Sequence, residues 1–105
     1  MIDLTFITGR ISHDDLSTLR NEDLDGQVCS LKEDMLQVEY PAFLLLDVGW
    51  YPSFDPDGFF QVRVLKNYDW SEPLYLSRAD SVPLLIKELV AAQDEIGRVT
   101  AEIKC

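Results

Sequence analysis

The chain is poor in cysteine, histidine, basic residues and long apolar runs, and each shortage removes a class of function. Its two cysteines, Cys29 and Cys105, stand far apart in 105 residues, which is no disulfide framework, and a reducing cytoplasm is the expected setting. The one histidine, His13, leaves a transition-metal site short of the three or four ligands such a site needs, so neither metal nor other cofactor is expected. Nine Lys and Arg face nineteen Asp and Glu, a formal net charge of −10. A field of that sign repels phosphate backbones and anionic lipid, so nucleic acid and membrane surfaces are poor partners and a basic protein is the natural one. The apolar run Phe43–Leu46 falls far short of the ~20 residues of a membrane span. With no charged-then-apolar leader at the N-terminus, the expectation is a soluble protein that is not exported.

What is present is ordinary globular material. Hydrophobic residues make up 47 % and aromatics 10 %, too much for a solvating acidic tail. A chain of this length hides roughly two-thirds of its unfolded surface and needs no staple. No repeat or Gly/Ser/Pro linker divides it, so residues 1–105 are read as a single domain. Charge is uneven: residues 1–40 carry nine acids against three bases, and residues 81–105 four against three.

Periodicity predicts an α+β fold: an antiparallel sheet of about four to six strands, with a long C-terminal helix and a short N-terminal helix on it. Ile2–Ile7 is rich in strand formers, and Ser12 before His13-Asp14-Asp15 reads as the cap of a helix over 13–22 carrying Leu16 and Leu19 on one face. Val28–Leu31 is a candidate short strand. Leu36, Val38 and Tyr40 alternate with Gln37 and Glu39, a half-buried strand. The stretch 43–50 has apolar residues on both parities near its start and reads as a central strand, with Phe59–Lys66 as its antiparallel neighbour. Between them Pro56 and Gly58 reverse the chain, Gly58 by taking positive φ. Leu74–Leu76 is a further short strand. Leu85, Leu89, Ala92, Ile96, Val99 and Ile103 form one helical stripe behind a Ser81 cap, with Gly97 a place where the helix stops or bends.

Chemical signatures are thin. Asp55-Pro56-Asp57-Gly58 looks like part of a calcium loop, but aligning Gly58 with the required glycine puts Ser53 in the first ligand position and Val64 where a bidentate Glu belongs. A hairpin turn explains the string better. His13-Asp14-Asp15 reads as an exposed helix start. No Gly-x-Ser-x-Gly elbow and no phosphate-cradling glycine loop occurs, and an enzyme is not expected. The aromatics say more: Trp50, Tyr51, Phe54, Phe59, Phe60, Tyr68, Trp70 and Tyr75 crowd a short stretch interleaved with Asp47, Asp55, Asp57, Asp69 and Glu72. Phe60 and Trp50 belong in the core, whereas Tyr51, Tyr68 and Trp70 fall at strand ends or in loops, where rings anchor and acids steer a cationic partner.

The stretch Leu45-Leu46-Asp47-Val48-Gly49-Trp50-Tyr51-Pro52, the Asp55–Gly58 turn, the strand Phe59 to Leu65, Trp70-Ser71-Glu72-Pro73-Leu74 and the final helix together resemble small bacterial immunity proteins. The resemblance is closest to those paired with contact-dependent growth-inhibition toxins. It spans roughly residues 43–96 and implies a cytoplasmic protein that binds and blocks one cognate toxin domain, often a nuclease. No individual interface residue comes with it. Charge complementarity selects Glu22, Asp23 and Asp25, in the acid-rich stretch after the expected first helix, with Tyr51, Asp55, Asp57, Tyr68, Asp69 and Trp70, as the partner-binding set. Two other classes compete: a general acidic interaction module such as an adaptor or chaperone, whose complexes collapse in salt, and a small-molecule-binding or enzymatic domain, which requires a concave pocket with convergent polar groups.

Overall fold

The strand Leu44–Tyr51 explains the architecture, because its alternate side chains enter two different layers. In the computed structural model, which describes residues 2–20 and 24–103 without the side chains of Asp25 and Ile103, this strand is β3 of a five-stranded antiparallel sheet. The others are β1 (Arg10–Asp14), β2 (Leu36–Tyr40), β4 (Phe59–Lys66) and β5 (Tyr75–Ala79), and they lie in chain order. One helix, α1 (Val82–Ile103), follows. The fold is α+β, and among the described residues no helix is long and apolar enough to cross a membrane.

Register puts Leu44, Leu46, Val48 and Trp50 on the same side as Leu36 and Val38 of β2 and as Phe60, Val62 and Val64 of β4. All of these are buried, and α1 covers this layer with Val82, Leu85, Leu89, Ala92 and Ile96. The Trp50 and Phe60 rings meet edge to face at 4.9 Å. Ser81 begins α1 as expected: its carbonyl accepts the Leu85 amide at 2.9 Å and its hydroxyl the Leu84 amide at 3.3 Å. Gly97 neither stops the helix nor touches anything within 4 Å of where a Cβ would stand. Gln93 ties α1 to the start of the chain, its Oε1 accepting from the Thr8 amide at 2.8 Å and the Tyr40 hydroxyl at 2.7 Å.

The N-terminal third departs from expectation. Ile2–Ile7 is not a strand; the Asp3 carboxylate takes the Thr5 amide at 2.9 Å and turns the backbone, while Ile2 and Leu4 still reach the core. No helix forms over the described part of 13–22. Residues 10–14 instead pair with β2 as β1, and Ser12, expected to cap a helix, is the extra residue of a β-bulge between Ile11 and His13. The capping side chain is Asp14, whose Oδ1 accepts the Ser17 amide at 2.9 Å and closes a turn. That turn buries Leu16 and Leu19 as completely as a helix would. Val28–Leu31 is not a strand either, since the 3-10 helix Leu24–Ser30 occupies most of it, held by Gln27 Oε1 accepting the Arg20 amide at 2.6 Å. In the β3–β4 loop it is Phe54, at φ 61°, that takes the left-handed conformation, and no described glycine has positive φ. Gly58 is needed for closeness, because a Cβ there would lie 2.6 Å from Trp50 Nε1, the atom that donates to the Asp55 carbonyl at 2.9 Å.

Candidate functional site

At one end of the sheet, the chain before β2 runs beside the last residues of β3. The Trp50 amide donates to the Lys32 carbonyl at 2.8 Å and the Met35 amide to the Val48 carbonyl at 3.0 Å. Two residues, Glu33 and Asp34, therefore stand opposite one, Gly49, which is the geometry of a β-bulge. A side chain at Gly49 is impossible without movement, as its Cβ would fall 1.9 Å from the Glu33 carbonyl oxygen. The bulge turns both carboxylates into solvent. Beside it the Phe54 amide donates to the Leu31 carbonyl at 2.7 Å, which fastens the loop 52–58, with Asp55 and Asp57, to the same end. Asp55 Oδ1 accepts the Asp57 amide at 2.8 Å, fixing their spacing.

The result is an acidic end that also exposes an aromatic. Phe54 is 57 % exposed, held in a backbone conformation unusual for a phenylalanine. The same end carries Glu33 and Asp34 of the bulge and Asp55 and Asp57 of the loop, none of which forms an ion pair among the described residues. Their neighbour Asp15 differs: Lys32 Nζ lies 2.7 Å from its Oδ2, and this contact first, with the charge of His13, holds its carboxyl below the usual range. Next to Phe54 lies an open depression of about 350 Å³ lined by Asp15, Thr18, Cys29, Ser30 and Lys32.

A second constellation lies on the sheet face away from α1. Arg63 of β4 stands 5.2 Å from the centroid of Tyr51 and 5.6 Å from that of Trp70, between two rings that reach it from opposite ends of the strand. Burial raises the Tyr51 hydroxyl above its usual range, with Arg63 acting in the other direction. On the same face Asp47 is almost fully buried, accepts from Gln37 Nε2 at 3.3 Å, and has its carboxyl pushed up mainly by that burial.

The expected partner-binding residues thus fall into separate groups. Asp55 and Asp57 belong to the acidic end. Tyr51 and Trp70 converge on Arg63. Tyr68 and Asp69 sit in the loop 67–74 at the other end of β4, on the order of 20 Å away along eight strand residues. Asp69 there accepts the Ser71 hydroxyl and amide, which lower its carboxyl. Glu22 and Asp23 lie outside the described residues, and Asp25 falls within the 3-10 helix with its side chain undescribed. Phe54 is one of the clustered aromatics but stands outside the expected binding set, and Glu33 and Asp34 carry no signal of their own in the sequence. The isolated Gly49 in an otherwise strand-forming run is the signal that could have found the bulge. Among the described residues no three His, Cys, Asp or Glu are grouped to hold a metal ion. Compared with known proteins, the chain matches no family model, no curated protein and no solved structure.

Proposed function

We propose that this protein is an immunity protein, an inhibitor that binds one cognate toxin domain and blocks it by charge-complementary contact. The observation that carries the reading is the acidic end: four carboxylates that form no ion pair among the described residues, on a bulge and a loop that also exposes Phe54, both tied by main-chain bonds to the sheet. An aromatic anchor with a charged surround is how tight protein interfaces concentrate their affinity and steer encounter. A nuclease domain suits it best, because a site that attracts polyphosphate is basic and carboxylates can take the place of phosphates there.

The test is protection. A toxic domain encoded beside this gene, expressed in cells, should kill unless the intact chain is made with it, and Phe54→Ala combined with Asp55→Lys and Asp57→Lys should abolish rescue while leaving the protein folded by circular dichroism. Rescue undiminished in that variant removes the acidic end from the interface, and failure of the wild type to rescue at all removes the reading.

A further inference from the structure

Not every base in this acidic chain is treated alike. Arg10 pairs with Glu39, Arg98 with Glu95 and Glu102, and Lys32 with Asp15. Arg63 and Arg78 form no ion pair among the described residues. Instead each lies over aromatic rings, Arg63 between Tyr51 and Trp70, and Arg78 at 4.5 Å from the centroid of Phe59. A guanidinium held by its flat faces keeps its edge donors free for a planar acceptor, and Arg63 uses one of them on Gln61 Oε1.

Register places these two arginines on the same sheet face with Leu76, the cross-strand neighbour of Arg63, which is 57 % exposed. The β4 and β5 side chains of this face that reach solvent are Phe59, Gln61, Arg63, Leu76 and Arg78, and the carboxylate across from Arg63, Asp47 of β3, is almost fully buried. A chain of net charge −10 thus carries a locally basic, partly apolar strip. It borders a sheet edge, since β5 ends the strand order. The other edge strand, β1, is blunted by its bulge at Ser12 and by exposed Arg10 and Asp14, whereas the β5 register is unbroken.

We propose that this strip is a second interaction surface, which takes an acidic, extended segment of a partner protein along the β5 edge, its carboxylates at every second position facing Arg63 and Arg78 beside Leu76. Main-chain bonds to the edge supply adhesion, and acids at every second position, all on the arginine face, supply choice. Arg and carboxylate meet as a fork on a planar acceptor. A second copy of this chain fits worse, because antiparallel pairing of β5 with itself sets arginine strip against arginine strip and −10 against −10. A long polyanion meets the repulsion of the whole chain, whereas a short segment meets chiefly the two arginines. The surface adjoins the acidic end at Tyr51 and Phe59, but its test does not depend on what that end binds.

The probe is a blocked synthetic hexapeptide, Glu-Val-Glu-Val-Glu-Val, titrated into the isotopically labelled full chain at low ionic strength and followed by amide NMR. The expected result is saturable movement of the Tyr75–Ala79 amides and the Trp70 indole N–H, with affinity falling about tenfold or more in Arg63→Glu/Arg78→Glu. Arg78→Glu alone and Leu76→Glu, which leave the Tyr51–Arg63–Trp70 stack in place, should each weaken binding with an unchanged thermal midpoint. No saturable movement at millimolar peptide overturns the proposal. So does equal binding of a Lys-Val peptide, preferential binding of an oligothymidylate, or a concentration-dependent shift of β5 in the protein alone.

Discussion

The two faces of the sheet are built from the same strands under different rules. Along β3, Leu44, Leu46, Val48 and Trp50 enter a layer that is apolar throughout and sealed by α1. Their alternates Leu45, Asp47, Gly49 and Tyr51 enter a face with no helix over it. There a buried carboxylate, a bare backbone position under a bulge, and a tyrosine stacked on an arginine share the space. The covered face stabilises the fold by removing hydrocarbon from water. The open face shapes the two proposed interaction surfaces, the acidic bulge at one end and the arginine strip beside β5.

Substitutions can break or sharpen that contrast. The largest effect belongs to the covered face: Phe60→Ala, which empties a fully buried site against Trp50, should cost about 3–5 kcal/mol in denaturant unfolding. A loss below about 1 kcal/mol would mean that the layer under α1 is not close-packed. On the open face Gly49→Ala drives a methyl into the Glu33 carbonyl, with an expected cost of about 1–3 kcal/mol. Amide NMR should show the change concentrated in residues 32–35, because the bulge has to move.

The smallest effect reverses sign. Burial is the first cause of the raised Asp47 carboxyl, with the Gln37 hydrogen bond and the charges of Arg63 and His13 opposing it. The folded protein therefore holds this proton to higher pH than the unfolded chain, whose value is near 3.8. The resulting penalty is absent below that value, grows as pH rises through the folded value, and is complete at neutrality. Asp47→Asn should raise the thermal midpoint at pH 7, and its advantage over wild type should vanish as the pH approaches 3.8. A lower midpoint for the variant at pH 7 would show that attraction to Arg63 outweighs burial.

Legibility follows the same division. β2, β4 and α1 could be read from sequence because their burial is periodic, as where Leu36, Val38 and Tyr40 alternate and Leu85, Leu89 and Ala92 recur at helical spacing, and β3 because its apolar start is buried on both faces. The first thirty residues could not, because single side chains decide their course. Asp3 and Asp14 capture nearby amides, and the β2 edge draws residues 10–14 into a strand with a bulge at Ser12. Half of the acidic end was visible in the same way: Asp55 and Asp57 sit in a turn with an evident Pro and Gly signature. Glu33 and Asp34 join them through a non-local pairing that only Gly49 betrays.

The association rate with the proposed cognate toxin domain, measured across ionic strength for the wild type and for Asp55→Lys/Asp57→Lys, tests the proposed function most directly. The acidic-end account predicts a wild-type rate that falls with salt, a variant rate about tenfold slower at low salt, and convergence of the two as salt screens the field. Equal rates at every ionic strength would contradict it.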